Sequence, residues 1–376
     1  MQRRRLSSID EVGAAQWNAL DTSGSPFTRH EFLAALERTG CVGGRTGWDP
    51  AHLLLSDDAG IAAAIPLYRK QHSWGEFVFD FGWAQAYTRH GHDYYPKLLA
   101  AIPFTPATGA RLLVRADLDR SELAGQLIAA LQSDVLEQGL SSAHVLFMTD
   151  AERDALEQAG WLLRRDCQFH WHNRGYSDFD AYLASFTAEK RKKAKRERRR
   201  IQEAGIEFLT LMGPELTPGQ LDVVYAFHAT TFARHGHEPY LSREFFTQIA
   251  ATLGDALMVK LAMYGTTPVA ASVFFRSRDT LFGRYWGASA EYHSLHFEAC
   301  YHQGIEFCIE HGIARFEPGT QGEHKVSRGF EPTLTWSAHY LADPRFRDAV
   351  QGFLEREAPA VDAYAAQIDR HTPFRR

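Results

Sequence analysis

The chain has 376 residues, of which 45% are hydrophobic and 23% are charged, and its formal net charge is −5 at pH 7. This length predicts two domains or one large domain, and the composition is that of an ordinary globular protein. The negative balance argues against a protein that binds nucleic acid over its whole surface, while it leaves room for a local basic patch.

Membrane and secretion signals are missing from the sequence. No apolar run approaches the roughly 18 residues of a membrane helix, and the basic start MQRRRLSSIDEVG has no apolar core behind it. We therefore expect a cytoplasmic protein without an integral membrane segment. The cysteines lack metal-ligand and disulfide-type spacing, so we expect buried thiols at Cys41, Cys167, Cys300 and Cys308.

The first half predicts a helix over 26–40 and a β-hairpin over 51–71, because two apolar runs flank the turn DDAG. The aromatic run EFVFDFGWAQAY (76–87) predicts a third strand. The segment YYPKLLAAI (94–102) predicts a helix with proline near its first turn. Strands and helices then alternate, including a long amphipathic helix over 122–139.

The second half starts with a helix predicted over 187–204, followed by a strand, two helices and a meander of strands. The stretch 281–332 then reads as strand, helix, strand and polar loop, with the helix starting near His296 and ending at Gly312. A strand–helix–strand unit places the loop 319–330 at the carboxyl end of its second strand, where open α/β sheets bind ligands. A strand and a terminal helix close the chain.

Segments in the two halves resemble each other at an offset of about 205 residues. GIAAAIPLY parallels TPVAASVFF, FVFDFGWAQAY parallels FGRYWGASAEY, and YYPKLLAAI parallels the helix near Phe297. We interpret this pattern as an internal duplication of one α/β unit, with halves that meet near residues 165–180. The alternative is that any two segments of meander and helix look alike.

The segment AEKRKKAKRERRRIQE carries nine Lys or Arg among the eleven residues 190–200. On a helix these charges spread over all faces, so glutamates at i,i+4 spacing offset only some of them. Such a run in an acidic chain predicts contact with a polyanion, and the alternative is a solvated helix surface. The predicted polyanion-binding residues are Lys190, Arg191, Lys192, Lys195, Arg198 and Arg199.

The loop GTQGEHKVSRGF concentrates ionisable side chains just beyond a strand. Lys325 can hold a phosphate or carboxylate there, or stabilise developing negative charge, and Glu317 and His324 can act as bases toward an amine. These three are the predicted catalytic residues, whereas the alternative is a polar surface loop shaped by its glycines. The predicted substrate-binding residues around them are Arg284, Trp286, Gln321, Glu323 and Arg328.

The matching place in the first half is predicted over 80–106, where YYPK and PFTP combine a rigid backbone with hydroxyl groups. Such strings can line a substrate cleft. Tyrosines that cap a core and prolines that end strands explain them equally well. The candidate substrate-binding residues here are Asp80, Tyr94, Tyr95, Lys97 and Thr105.

Several other chemistries lack their motifs. The 18 histidines show no acid–His–His pattern of zinc-enzyme type, and no CxxC spacing is present, so no metal site is predicted. The sequence has no GxSxG elbow, no Walker A loop and no GxGxxG after a strand. Covalent serine catalysis, P-loop phosphoryl transfer and dinucleotide binding therefore lose support, and no permanently bound cofactor is expected.

Four strings together resemble the FemAB-like acyltransferases, which carry two GNAT-type domains in tandem: YYPKL with PFTP, EKRKKAKRERRRIQEAGIEF, RYWGASAEYHSLHFEACYHQGIEFCIEHG and GTQGEHKVSRGFEP. That family's second domain has a loop with a lysine before a Phe/Gly pair, and Lys325 with Gly329 and Phe330 matches it in the order Gly-Phe. The resemblance implies an α/β (α+β) fold with mixed, mainly antiparallel sheets, in domains 1–168 and 169–376.

The resemblance also implies transfer of an acyl or aminoacyl group to an amine by direct attack. Characterised relatives use aminoacyl-tRNA as donor and a cell-wall precursor as acceptor, whereas other GNAT proteins use acyl-CoA. Neither AQAYTRHGHDYYP nor GASAEYHSLHFEA has the glycine pattern that holds the CoA pyrophosphate at a helix start. Aminoacyl-tRNA is therefore the favoured donor and acyl-CoA the alternative, with a small-molecule or peptide amine as acceptor and tRNA as a possible partner.

Two other classes of function stay open at the level of sequence. One is a non-catalytic GNAT-fold binding module for a polyanionic or cell-wall-related ligand, and the other is a recruitment protein that uses the basic helix. An enzyme is expected to have a cleft with a basic wall and a titratable group, whereas a binding module loses nothing when Lys325 is changed.

Overall fold

The computed structural model describes residues 1–234, 236–290, 292–320 and 322–375. Its strands are β1 Gln2–Leu6, β2 Trp48–Pro50, β3 His52–Asp57, β4 Gly60–Ile65, β5 Leu67–Lys70, β6 Lys97–Ala100, β7 Leu113–Val114, β8 Ser142–Leu146, β9 Leu162–His172, β10 Ile206–Met212, β11 Leu257–Tyr264, β12 Thr267–Arg276, β13 Thr280–Ala288, β14 Arg315–Glu317 and β15 Glu331–Leu341. Its helices are α1 Ala14–Asn18, α2 His30–Arg38, α3 Phe81–Arg89, α4 Arg120–Glu137, α5 Asp150–Gln158, α6 Phe179–Ala184, α7 Ala188–Glu203, α8 Pro218–Ala233, α9 Arg243–Thr252, α10 Leu295–Phe297, α11 Gln303–Glu310 and α12 Pro344–Asp369. Among these described residues, no helix combines the length and apolarity needed to cross a membrane.

The chain folds into two compact units, and each unit is assembled from two separate stretches of sequence. Unit 1 consists of residues 1–166 and 334–363, and unit 2 consists of residues 167–333 and 364–376. The predicted division after residue 168 differs from this arrangement, because it placed 334–363 in the second half. Those residues belong to unit 1 since the end of β15 pairs antiparallel with β8.

Unit 1 contains two sheets around one apolar core. One sheet has the strand order β1-β3-β4-β7, and its pairs are antiparallel. The other sheet has the order β2-β5-β6-β8-β15. In this second sheet β6 and β8 run parallel, and the other described pairs are antiparallel. Helix α4 covers these strands because Leu123, Leu127 and Leu131 recur at helical spacing and form a buried face. This face belongs to the same apolar cluster as Leu98 and Val145 of the second sheet.

Unit 2 is built on the strands β10-β11-β12-β13-β14, and the end of β9 adds a short antiparallel pair to β14. Neighbouring strands from β10 to β13 are antiparallel. The next strand, β14, runs parallel to β13, since α10 and α11 carry the chain back between them. Trp171, Phe274, Ile305, Phe316 and Phe330 belong to one apolar cluster of this unit.

The two units share a common order of elements, with β2, α3 and β7 as additions in unit 1. An edge strand and two helices lead to an antiparallel hairpin, and then to a strand, a helical segment and a second strand parallel to the first. The hairpins β3–β4 and β11–β12 occupy the predicted repeat positions. After the hairpins, unit 1 contains the additional helix α3, which shifts the later correspondences. The segment β6–α4–β8 of unit 1 therefore corresponds to β13–α10/α11–β14 of unit 2. The predicted α/β class with mixed, mainly antiparallel sheets is confirmed.

Two predicted elements of the first half are wrong. The run 76–87 is not a strand, because Phe81–Arg89 form α3, whose buried residues Trp83 and Tyr87 lie four positions apart. The segment 94–102 is not a helix, because its centre forms β6, which is buried between β5 and β8. A short apolar run cannot be assigned to strand or helix from periodicity alone. The second and third correspondences of the predicted duplication fail with these two elements.

A glycine sets how closely α8 packs on β13. A Cβ atom at Gly287 would lie 1.8 Å from the backbone oxygen of Phe227 in α8. Gly287→Ala is therefore expected to lower the free energy of unfolding by about 3 kcal/mol, because backbone must move to make room. Urea denaturation checks this, with Gly219→Ala as the control, since a Cβ at Gly219 meets nothing within 4 Å. Equal midpoints for the two variants would contradict this packing.

Candidate active site

A cleft opens in unit 2 where two parallel strands separate. β13 and β14 are paired over Thr280–Phe282 and Arg315–Glu317. Pro318 then ends β14, because proline has no N–H to donate to the ladder, whereas β13 continues to Ala288 along β12. The carboxyl ends of the two strands therefore diverge, and this is the edge at which α/β sheets bind ligands.

The cleft holds a cavity of about 130 Å³. A π-helical turn, Glu298–His302, lies between α10 and α11 in the helical segment beside it, and such turns are frequent at functional sites. Side chains of two strands and of this helical segment line the cavity, among them Ser272, Arg284, Trp286, His296, Cys300 and Tyr301. The predicted residues Arg284 and Trp286 are thus brought to one place with aromatic and ionisable groups.

Lys325 brings a buried amine next to this cavity. It is 2% exposed, and its Nζ donates a 2.7 Å hydrogen bond to the backbone oxygen of Gly319. Burial lowers the pKa of Lys325 to about 7, and the Arg284 guanidinium adds to this shift. Because two cations lie beside one cavity, a negative charge formed there would be stabilised and would favour the ammonium form of Lys325.

One imidazole, that of His296, lines the cavity, and the exposed His324 lies beside it. His324 Nε2 is 2.8 Å from the hydroxyl of Tyr301, and the ring centroid of His296 is 6.0 Å from that of His324. Burial lowers the pKa of His296 to about 4, and it lowers the pKa of His324 together with the neighbouring cations Lys325 and Arg328. Both rings are therefore mainly neutral at pH 7 and can accept a proton.

Cys300 supplies a thiol to the cavity wall. Burial raises its pKa to about 12, so the sulfur is protonated at neutral pH. Because the thiolate is the nucleophilic form of cysteine, this sulfur is a poor candidate for covalent catalysis.

The other predicted residues of the loop surround this centre. Glu317 is 3% exposed at the end of β14, with its Oε1 3.2 Å from Nε of Arg315. Glu323 is exposed and accepts a 2.9 Å hydrogen bond from the hydroxyl of Tyr364. Gln321 lies outside the described residues. Glu317 is thus held where the strands separate, while Glu323 faces outward.

Arg328 is held inside unit 2. Its Nη2 donates to Glu197 at 2.7 Å, its Nη1 donates to the backbone oxygen of His324 at 2.6 Å, and its guanidinium lies 3.5 Å from the ring centroid of Phe297. Glu197 in turn lies 3.3 Å from Nε2 of His302. With its donors engaged in this way, Arg328 fixes the Lys325 loop on α7, and its role in substrate binding stays a prediction.

Helix α7 has a buried face and an exposed face. Ala194, Glu197 and Ile201 are buried at helical spacing. Arg198 also turns inward, where it meets Glu298 and Glu306 at 3.2 and 2.6 Å. Arg198 is therefore not part of the exposed basic face for which it was predicted.

The outer face of α7 carries the exposed cations of this helix. Of the predicted set, Lys190 and Arg191 are half-buried at its start, and Lys195 contacts the exposed carboxylate of Asp180 at 2.9 Å. The exposed cations are Lys192, Lys193, Lys195, Arg196, Arg199 and Arg200. They form a compact basic surface, and its ligand is still a matter of prediction.

In unit 1, Asp80, Tyr94 and Lys97 meet inside the core. Lys97 Nζ donates to Asp80, Glu76 and Ser73 at 2.5, 2.8 and 2.9 Å, and the Tyr94 hydroxyl donates to Asp80 at 2.6 Å. Burial raises the pKa of Glu76 to about 7; burial also opposes ionisation of Asp80, but Lys97 outweighs it and lowers the pKa of Asp80. These residues thus form a closed ionic network. Their predicted role in substrate binding remains a prediction.

The other two predicted residues of unit 1, Tyr95 and Thr105, lie outside the centre of the ionic network around Lys97. Tyr95 lines an open groove together with Trp74, Phe81 and Arg89. Thr105 is buried, and its hydroxyl donates a 3.0 Å hydrogen bond to the backbone oxygen of Pro103. Thr105 therefore stabilises a local turn.

Sequence reasoning missed His296, Cys300 and Tyr301 as site residues. They lie in the helix that the sequence predicts from about His296 to Gly312. A signal was present, because a buried helix face that carries histidine and tyrosine needs hydrogen-bond partners. The π-helical turn that orients these side chains has no equivalent signal in the apolar pattern.

Comparison with known proteins places the fold. The FemAB-like family, described as peptidoglycan biosynthesis/recognition, matches residues 8–376. A search of curated proteins found no match. Among solved structures, the C-terminal domain of a putative lysylphosphatidylglycerol synthetase from Agrobacterium fabrum is similar at 11% identity and a TM-score of 0.56, over 92% of this chain and 97% of that one.

Two further structures share the architecture. L-PGS from Bacillus licheniformis has 11% identity and a TM-score of 0.53, over 89% of this chain and 99% of that one. FemX has 10% identity and a TM-score of 0.55, over 93% of this chain and 100% of that one. Identities this low show a shared fold alone, whereas the family match extends over nearly the whole chain. The chain therefore belongs to the FemAB-like family.

Proposed function

We propose that this chain is an N-acyltransferase that moves an acyl or aminoacyl group onto an amine, with its reaction centre at the unit 2 cavity. The observation that carries the proposal is Lys325, a buried amine with a pKa of about 7 beside Arg284, where β13 and β14 diverge. Burial by itself lowers the pKa of a lysine, so the position of Lys325 in a cleft is decisive, because a perturbed titratable group there is typical of an active site.

The proposed reaction is a direct displacement. The acceptor nitrogen attacks the acyl carbon and forms the C–N bond, Lys325 stabilises the oxyanion, and the bond from carbon to the donor's oxygen or sulfur then breaks. The attacking amine loses one proton, for which His324 is the best-placed base, and the leaving oxygen or sulfur takes up one proton. Tyr301 fixes the His324 ring for this task through their 2.8 Å contact.

Aminoacyl-tRNA is the preferred donor, and acyl-CoA is the alternative. The exposed cations of α7 favour tRNA because they form a dense basic surface on the unit that holds the cavity. The same helix contacts the Lys325 loop, since Glu197 of α7 binds Arg328. The acceptor is proposed to be an amine of a cell-wall precursor, in line with the peptidoglycan description of the family.

A donor panel tests this function. The protein is offered charged tRNAs and acyl-CoA thioesters, each with peptide and small-molecule amines, and donor consumption is followed together with the mass of the acceptor. We expect one donor class to be consumed while the acceptor gains the acyl mass. Consumption of neither class by wild-type protein would leave the non-catalytic binding module as the better explanation of the fold.

Charge reversal on α7 separates the two donors. Lys192→Glu, Lys195→Glu and Arg199→Glu together are expected to weaken tRNA binding and to reduce the slope of log K against log[salt] by about 0.7 to 0.9 for each phosphate that the variant no longer neutralises. The control is a triple reversal at the exposed residues Arg45, Arg69 and Arg278. Filter binding across a salt series measures the effect. Equal tRNA affinity in both triple variants would refute the role of α7.

A further inference from the structure

A second cavity lies in unit 1 and shares no residue with the one in unit 2. It has a volume of about 290 Å³ and runs between α3 and the first turns of α12. Trp83 and Ala86 of α3 line one side, and Phe346 and Val350 of α12 line the other. These walls are almost entirely carbon, so water in this groove gains few hydrogen bonds and an apolar ligand gains contact area.

Exposed aromatic side chains border the groove. Phe79 and Phe353 line it and are 56% and 38% exposed. The ring of Phe79 stacks on Phe81 at 6.0 Å, and Phe81 lies 5.4 Å from Trp74, which is 57% exposed. A connected aromatic patch of this kind marks an interaction site, because a soluble protein otherwise keeps such area small.

The dimensions of the groove limit its occupant. An α-helix with its side chains is about 10–12 Å across, whereas about 290 Å³ is close to the lower end of the range of small-molecule sites, roughly 300 Å³. A slender chain fits such a space and a partner helix does not. The occupant must also be apolar along most of its length, since the walls offer almost no hydrogen bonds.

The groove nevertheless has a polar end. Tyr87 lines it and stacks on Phe346 at 3.7 Å, and its buried hydroxyl has no hydrogen-bond partner among the described residues. His90 and His92 approach the edge of Phe346 at 5.8 and 5.7 Å, and both are exposed. An apolar channel with one free donor and a polar rim matches an amphiphile: a hydrocarbon tail along the channel and a polar head toward the histidines.

We propose that this groove binds one hydrocarbon chain of a lipid amphiphile. The chain lies between α3 and α12, the Tyr87 hydroxyl donates to an oxygen near its head, and Trp74, Phe79 and Phe353 cover the exposed side. Tryptophan, here Trp74, also favours the interface between lipid and water. This inference goes beyond the proposed acyl transfer and does not depend on it.

Monomeric lysophosphatidylcholines of increasing chain length, from about 8 to 14 carbons, test the proposal by calorimetry below their micelle concentration. Each buried CH₂ contributes about 0.8 kcal/mol, which is about fourfold in affinity. Affinity is expected to rise by about that factor per CH₂ and then to level off when the groove is full. Gly82→Phe and Ala349→Phe, which fill the groove from opposite sides, are expected to weaken binding at least tenfold.

The control variant is Gly125→Phe on the exposed side of α4, because a Cβ meets nothing within 4 Å at either Gly82 or Gly125. Thermal unfolding of all variants shows whether the fold is kept. Neutral phosphatidylcholine vesicles form a second arm: loss of vesicle binding in Gly82→Phe assigns the chain to a membrane lipid, and binding of monomers alone assigns it to a free amphiphile. Absence of saturable binding, affinity that keeps rising with chain length, or equal affinity in all variants would overturn the proposal.

Discussion

Replacing Lys325 with methionine is expected to lower kcat/KM for acyl transfer by about two to three orders of magnitude, the usual effect of removing one contact to a transition-state oxyanion. Methionine keeps much of the volume of the side chain and removes its charge. The control is Lys260→Met, because Lys260 is also buried in unit 2, with a pKa lowered by burial, and its Nζ contacts Gln303 at 3.2 Å. Similar values of kcat/KM for the two variants would contradict a special role of Lys325. The lowered pKa of Lys325 would then follow from burial alone and not from its place at the cavity.

The kcat/KM that depends on Lys325 is also expected to change with pH in a definite direction. Burial lowers the pKa of Lys325 to about 7 in the free protein, and the proposed role needs the ammonium form. The profile of kcat/KM reports free-enzyme groups, so it is expected to fall as pH rises through about 7. Lys325→Arg stays charged and is expected to lose this alkaline limb. A rate that rises through the same range would instead identify the neutral amine of Lys325 as a base.

The contribution of Lys325 to the free energy of unfolding is expected to rise with pH, whereas kcat/KM is expected to fall. Because the folded pKa of Lys325 is about 7 and its ordinary value is 10.5, the unfolded chain binds more protons between these two values. The contribution of this residue to the free energy of unfolding therefore rises with pH across that window. Lys325→Met is expected to stabilise the fold below pH 7 more than at pH 10, which denaturant titrations at the two pH values measure.

Replacing Lys97 with methionine is expected to lower the free energy of unfolding by about 3–5 kcal/mol, because one partner of a buried ionic network is removed. Asp80 and Glu76 would then remain as carboxyl groups inside unit 1 without the ammonium that lies 2.5 and 2.8 Å from them. Urea denaturation of the full chain measures the loss. Adding Asp80→Asn and Glu76→Gln to Lys97→Met is expected to recover part of it, and no recovery would place the cost in packing instead of charge.

The strongly periodic parts of the fold could be predicted from sequence. The spacing of Leu123, Leu127 and Leu131 predicted α4, and the two apolar runs around DDAG predicted the β3–β4 hairpin. The basic run predicted α7, whose buried positions Ala194 and Ile201 follow a helical period. In each case the local pattern and the tertiary environment favour the same structure, so the pattern suffices.

Aromatic segments gave the errors because their local pattern does not reveal their environment. Trp83 and Tyr87 are buried four residues apart on α3, yet the surrounding phenylalanines suggested a strand. The residues of β6 are buried on both faces, which erases the alternation that identifies a strand. The insertion that contains α3 also shifts the repeat, so the first-half counterpart of the Lys325 loop is the turn after β8 and not the predicted stretch 80–106.

The site was predicted in part for a similar reason. Lys325, His324 and Arg284 were recognisable as ionisable groups near a strand end; Arg284 lines the cavity, and the other two lie next to residues that line it. Arg328 and Arg198 looked the same in sequence, but buried glutamates of the fold engage both of them. Whether a cation faces solvent or a buried carboxylate depends on contacts between residues that are 100 and 131 positions apart here, which a single sequence does not display.

A crystal structure with a non-reactive donor analogue tests the central claim most directly. The analogue carries a stable amide or ketone in place of the reactive ester or thioester. We expect its carbonyl oxygen in the unit 2 cavity between β13 and the π-helical turn, about 2.7–3.1 Å from Nζ of Lys325, which is the distance at which an oxyanion is stabilised. A carbonyl bound elsewhere in the protein, with Lys325 still donating only to Gly319, would contradict the assignment of this cavity as the reaction centre.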